Sequence, residues 1–285
     1  MRGFPQELVD LVIDKLADSF PSEASRRRHG ISNYSTVSRK WIRRTQQLHF
    51  ELLLFIYQGD LNKWRTVFTG GPPGVSRNVR TLFWVGIDSL EGFDGHVRAF
   101  TSVKEAKFYQ CNILRSIDCV RPLESLGSSL VDLEIQGDAP PEVVVWLLKS
   151  LPHLHRFHAT NIMTDPYYIP AAPLPRIPFF EDANDFGLYL ADGYMSNALG
   201  WIPPTARFSR LAIGASCVRD QPGILNKWIA SSCECLKYLY FSCDGYLDGT
   251  CLDVPSQTPI SLLIIVLSRI RFHHRLCGPL ELHIP

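Results

Sequence analysis

Residues 4–19, FPQELVDLVIDKLADS, carry apolar side chains along two overlapping helical stripes. Leu8, Leu11, Val12 and Leu16, with Lys15 among them, follow one i, i+3, i+4 row, and Val9, Val12, Ile13 and Leu16 follow its neighbour. Pro5 suits a first helical turn because its missing N–H would be unpaired there, and Glu7 sits at the positive end of the helix dipole. One stripe serves the chain's own core; the other is either buried within the same protein or faces a partner. After the turn-prone SFPSEASRRRHG, apolar spacing resumes in ISNYSTVSRKWIRRTQQLHF at Ile31, Tyr34, Val37, Trp41, Leu48 and Phe50, so two or three helices fit the first sixty residues.

Beyond residue 60 the pattern changes from a helical to a two-residue period, and it recurs. VRTLFWVGI (79–87), VKEAKFYQCNI (103–113), LVDLEIQGD (130–138), LHRFHATNI (154–162), FSRLAIGAS (208–216) and LKYLYFSCD (236–244) share one template: apolar, two variable, apolar, one variable, apolar. The middle apolar residues are Leu82, Ala106, Leu133, Phe157, Leu211 and Leu239, spaced by 24, 27, 24, 54 and 28 residues, and a degenerate copy around FGLYLADGY (186–194) fills the double step. Each copy predicts a short strand with alternate residues inward, and intervening stretches such as PEVVVWLLKSLPHL (141–154) predict helices that back it. No such unit buries its apolar face alone, so the units must stack. MTDPYYIPAAPLPRIPFFEDAND (163–185) contains five prolines and is expected to be a loop insertion. The chain end lacks the polar cap expected of a stacked array, so either GPLELHIP is a last partial strand or the C-terminus is an unusual one.

Two resemblances follow from these residues. FPQEL…IDKLADS followed by STVSRKWIRRTQQLHF resembles an F-box, with Pro5, Glu7, Leu8, Ile13, Leu16, Val37, Arg39 and Trp41 in the family's order and Phe4 where Leu is usual. The repeat template and its spacing resemble leucine-rich repeats, VKEAKFYQCNI most closely, since Cys111 stands where that family places Asn or Cys. The first resemblance implies a small helical module, with Phe4, Pro5, Leu8, Ile13, Leu16, Val37 and Trp41 contributing to binding of a Skp-type adaptor and, through it, a cullin. The expected fold class is therefore α/β (α+β overall). An all-helical F-box-like module at 1–58 precedes a divergent leucine-rich-repeat-like solenoid with a parallel sheet at 59–285.

Composition narrows the function classes. A chain of 285 residues, 46% hydrophobic and 20% charged, is long enough for one large or two small domains. The densest apolar run, LLIIVL at 262–267, is far short of a membrane span, and Glu7, Asp10 and Asp14 interrupt what a secretory signal would need as an apolar stretch. Eight scattered cysteines read as free thiols, which points to cytoplasm or nucleus. Net charge is +1, with the basic excess in the first fifty residues; RRRH at 26–29 reads as a solvated basic loop, so neither nucleic acid nor membrane is an expected partner.

Catalytic signatures are absent from the sequence: there is no phosphate-cradling G-x-x-x-x-G-K-[ST], no dinucleotide G-x-G-x-x-G opening a helix, no G-x-S-x-G and no H-E-x-x-H. Cys233, Cys235, Cys243 and Cys251 with His273 and His274 lack zinc-knuckle spacing and read as structural thiols, and His153, His155 and His158 read as surface positions of a repeat strand. No metal, cofactor or catalytic residue is expected.

These readings converge on a non-catalytic substrate-recognition subunit of a Skp/cullin/F-box-type ubiquitin ligase; the alternative is a repeat scaffold for protein interactions with no ligase connection. Residues flanking each inward apolar pair must point to the opposite side of the strand, the concave side of a solenoid. They are Glu105, Lys107 and Tyr109; Asp132, Glu134 and Gln136; Arg156, His158 and Thr160; and Arg210, Tyr238 and Tyr240. This polar and aromatic mixture suits recognition of a protein substrate, unless these are ordinary solvated positions and binding uses loops such as 163–185.

Overall fold

The computed structural model describes residues 5–18, 39–70, 75–160, 176–189, 202–214, 222–242 and 262–266. It is an α/β fold with parallel strands: β1 (Leu52–Ile56), β2 (Thr81–Val85), β3 (Glu105–Tyr109), β4 (Asp132–Gln136), β5 (Arg156–Thr160), β6 (Asn184–Tyr189), β7 (Phe208–Gly214), β8 (Tyr238–Ser242) and β9 (Leu262–Val266). β1, β2 and β3 pair in chain order, and so do β5, β6, β7, β8 and β9. The helices are α1 (Gln6–Asp18), α2 (Arg39–Glu51), α3 (Gln58–Gly70), α4 (Asp94–Val97), α5 (Ile117–Val120), α6 (Pro141–Ser150) and α7 (Pro222–Ser231), joined by several 3-10 turns. Two compact units, 1–133 and 134–285, divide inside β4.

In the first unit α1 is tied to α2 by a forked ion pair: Arg44 Nε and Nη2 donate to the two carboxylate oxygens of Asp14 at 2.7 and 2.9 Å. α2 passes without a connecting loop into β1, so the sheet begins within the 1–58 stretch expected to be wholly helical. LLLFI alternates as β1 must, burying Leu53 and Phe55. In the parallel registers Leu53 lies beside Leu82 and Leu82 beside Ala106, while Phe55 lies beside Trp84 and Trp84 beside Phe108. The second row packs ring edge on ring face, with centroids 5.8 Å apart for Phe55–Trp84 and 4.9 Å for Trp84–Phe108. Leu61 of α3, with Phe93 and Phe100, closes this layer.

The same left-handed residue follows successive strands. Tyr57 (φ 70°), Gly86 (φ 61°) and Gln110 (φ 51°) come directly after β1, β2 and β3. Tyr57 N donates to Val85 O and Gly86 N to Tyr109 O, both at 3.0 Å, so this turn continues the strand-to-strand ladder by one step. Just beyond it the buried Cys111 thiol donates to Trp84 O at 3.2 Å, and burial pushes its pKa up.

In the second unit the inward row runs Phe157, Phe186, Leu211 and Leu239 across β5 to β8, each at most 1% exposed. α6 fits the helix expected over 141–154, with Pro141 in its first turn and Val143, Val144, Leu147 and Leu148 buried. β9, LLIIV, adds to β8 in parallel.

All six middle residues of the sequence template, Leu82, Ala106, Leu133, Phe157, Leu211 and Leu239, are at most 1% exposed. The degenerate copy expected at 186–194 is a strand at Asn184–Tyr189, with Leu190 and beyond outside the described residues. The stretch expected as a loop at 163–185 ends otherwise. Ile177, Phe179 and Phe180 are buried around a 3-10 turn, and Asn184 and Asp185 open β6. The aromatic pair offsets the prolines: Phe180 packs on Phe186 and Phe208 at 5.8 and 6.0 Å, anchoring this segment in the core. Residues 163–175, the RRRH run and GPLELHIP lie outside the described residues.

Candidate protein-interaction site

On α1 the two sequence stripes separate. Val9 and Ile13 are buried at 6% and 0%, whereas Leu8, Leu11 and Val12 are 45%, 54% and 44% exposed. Ile42 on α2 is exposed as well. Of the residues expected to bind an adaptor, Pro5 and Leu8 are exposed and Leu16 and Trp41 are half-buried. Ile13 is not available to a partner: its side chain is wholly inside. Phe4 and Val37 lie outside the described residues. Leu11 and Val12, absent from that set, carry the outward surface, and the phase of the first stripe was the signal for them. α2 holds this helix in place through Arg44, whose pKa is raised further by the hydrogen bond it donates to Asp14. Buried Thr45 donates back to Trp41 O at 2.8 Å, so the polar atom inside α2 is satisfied.

The second surface is the outward face of the strands. None of Glu105, Lys107, Tyr109, Asp132, Glu134, Gln136, Arg156, His158, Thr160, Arg210, Tyr238 and Tyr240 is buried. In the first unit, Thr81 Oγ1 donates to Glu105 at 3.2 Å, Lys107 Nζ pairs with Glu105 at 3.0 Å and lies 5.3 Å from the centroid of Phe83, and Phe83 stacks on Tyr109 with rings 4° from parallel. Phe83, the variable position between Leu82 and Trp84 in the template, was not among the outward residues expected from the sequence.

In the second unit the geometry centres on a residue that the sequence reading did not single out. Asp185, whose side chain is 16% exposed, sits in register between Arg156 of β5 and Arg210 of β7. Its carboxylate is 3.4 Å from Arg156 Nε, 3.3 Å from His158 Nε2 and 3.9 Å from Arg210 Nε. Arg210 in turn lies over the ring of Tyr238, with its guanidinium carbon 4.4 Å from the centroid. In the next row of the same face His158 is followed by Gly187, Ala212 and Tyr240. The His158 imidazole covers Gly187, so the low floor of this row is Ala212, between that ring and Tyr240. A bulge at Asn184/Asp185 sets this register. Below it, buried Asn184 donates to Phe179 O at 2.9 Å and its amide oxygen meets His155 Nδ1 at 3.1 Å. Asp185 was missed because β6 fits the template poorly; Phe186 and Leu188, the inward pair, were the available signal.

His153, His155 and His158 do not converge: His155 and His158 contact different residues of β6, and His153 is exposed. Cys235 donates to Phe208 O and Ser232 O at 3.5 and 3.4 Å, and Cys233 is half-buried; Cys243, Cys251, His273 and His274 are outside the described residues. Among the described residues no three His, Cys, Asp or Glu side chains are grouped as metal ligands, and no helix is long and apolar enough to cross a membrane.

Compared with known proteins, the chain matches no family model, no curated protein and no solved structure.

Proposed function

We propose that this chain is a substrate-recognition adaptor of a Skp/cullin/F-box-type ubiquitin ligase, its N-terminal helices binding the Skp-type adaptor and its strand face binding a target protein. The observation that carries the reading is the exposure of Leu8, Leu11 and Val12 on a helix whose other stripe, Val9 and Ile13, is already buried. A helix that merely capped its own array would have polar residues at those positions. Covering three half-exposed aliphatic side chains supplies about 3 kcal/mol, which anchors a partner without accounting for the whole affinity.

The strand face supports the second half of the reading. It is a solenoid's recognition surface in this account, built of leucine-rich-repeat-like units, and it offers charged and aromatic side chains on short rigid strands rather than on connecting segments. The role requires no bond chemistry of the chain itself, because ubiquitin transfer falls to another subunit and this one contributes proximity. Work in cytoplasm or nucleus follows from the role.

The test is affinity purification of the full chain from cells. Leu8→Ala together with Pro5→Ala is expected to abolish recovery of the Skp-type adaptor while leaving the strand units folded; unchanged recovery overturns the assignment. A scaffold without a ligase connection would recover target proteins and no Skp-type adaptor or cullin.

A further inference from the structure

Resting on the reading of the strand face as a protein-binding surface, we infer that Arg210 is the docking point for an acidic side chain of an extended protein segment that lies over Ala212. Two guanidinium groups and an imidazole surround the single carboxylate of Asp185, and they share it unequally. His158 and Arg156 approach within 3.3 and 3.4 Å, leaving Arg210 Nε with the longest contact, 3.9 Å. That contact and the face of Tyr238 fix the plane of the guanidinium, while its terminal nitrogens have no partner among the described residues. The Arg210 side chain is 54% exposed.

A guanidinium held flat on an aromatic ring, with its outer N–H fork open, is pre-organised for two parallel hydrogen bonds to a carboxylate. Tyr238 itself is 37% exposed, so an incoming segment covers both. The neighbouring row determines how close the segment comes. The His158 imidazole lies across buried Gly187, whereas Ala212 projects little from the sheet and is bounded by that ring on one side and Tyr240 on the other. A main chain lying on this floor is brought low enough for an Asp or Glu side chain to reach the fork. Asp185 is only 16% exposed and is engaged by Arg156 and His158, so its charge is covered on the side from which the segment approaches.

The experiment is selection of random twelve-residue peptides displayed on phage, fused at their C-termini so that none has a free terminal carboxylate, on the full chain. Enriched peptides are expected to share an Asp or Glu. Replacing that residue by Asn or Gln is expected to weaken binding about 10- to 100-fold on the wild-type chain and hardly at all on Arg210→Met. Arg210→Lys, which keeps the charge and loses the fork, is expected to fall between. Because the peptide-side change is read on unmodified protein, the test stands even if an Arg210 variant folds poorly. Peptides that lose binding on Tyr240→Ala yet ignore Arg210→Met and have no acidic preference overturn the Arg210 assignment alone. Failure to enrich any peptide, or binding indifferent to both Tyr240→Ala and Arg210→Met, overturns the strand face as a site and the inference with it.

Discussion

The imidazole of His158 lies across Gly187: a Cβ at position 187 would come 2.9 Å from His158 Cδ2 and 3.1 Å from Cγ. The two residues are register partners in β5 and β6, and the missing side chain is what lets the ring reach Asp185 at 3.3 Å. Gly187→Ala is therefore expected to turn His158 away from Asp185. The fold should notice little, because a strand alanine gains roughly 0.5–1 kcal/mol over glycine while a part-exposed His–Asp contact is worth at most about 1 kcal/mol. Urea denaturation should give stabilities within about 1 kcal/mol of each other, with a changed His158 ring resonance; an unchanged resonance contradicts the packing described.

Two buried tryptophans differ in one hydrogen bond. Trp228 Nε1 donates to Pro203 O at 3.1 Å, whereas Trp84 Nε1, in the ring stack with Phe55 and Phe108, has no partner among the described residues. Replacing either by Phe removes similar volume, but only Trp84→Phe also removes an unsatisfied donor. Trp84→Phe is expected to be the less damaging change by about 1–2 kcal/mol in denaturant melts. Equal losses would show that the indole N–H of residue 84 is satisfied in solution.

Gln110 occupies the same left-handed turn that Gly86 occupies one strand earlier, at φ 51° against 61°. It is exposed, so removing its side chain loses little packing. Gln110→Gly is expected to stabilise the protein by about 0.5–1 kcal/mol, the strain relieved being partly offset by glycine's greater freedom when unfolded. A destabilisation of that size would mean that this turn is not left-handed in solution.

Burial raises the pKa of Cys111, so the folded chain holds its thiol proton where the unfolded chain releases it. The resulting contribution to stability is whole below the ordinary thiol pKa and is lost as pH rises through the folded-state value. Cys111→Ala is expected to flatten the alkaline side of the stability–pH curve. In iodoacetamide labelling read by mass spectrometry, exposed Cys119 should react first and Cys111 only on unfolding; early labelling of Cys111 contradicts its burial.

The strands were legible in the sequence wherever the apolar, x, apolar pair stood alone. Leu133 with Ile135 and Phe157 with Ala159 announce β4 and β5 because the flanking residues are polar. β1 and β9 hid for the opposite reason: LLLFI and LLIIV are apolar at every position, so the two-residue period vanishes and length alone does not separate strand from helix. β6 was legible only as the degenerate copy at 186–194; its opening residues Asn184 and Asp185, with the buried Phe179 and Phe180, lie in a stretch whose prolines read as a loop. The helix stripes of α1 were legible, but which stripe faces outward was not. That depends on α2 and on the Arg44–Asp14 pair, a contact between residues thirty positions apart. Asp185 was invisible for a related reason. Its partners come from the two flanking strands, β5 and β7, and only the register brings them together.

The most direct test of the adaptor role is a calorimetric titration of the purified full chain with a purified Skp-type adaptor, comparing wild type with Leu11→Asp. Leu11 is 54% exposed, so the substitution is expected to leave the melting temperature unchanged. The account predicts saturable one-to-one binding by wild type and a loss of about 100-fold or more with Leu11→Asp, since a carboxylate is buried unpaired in an apolar contact. No measurable binding by the wild-type chain, or equal affinity of the two proteins, would contradict it.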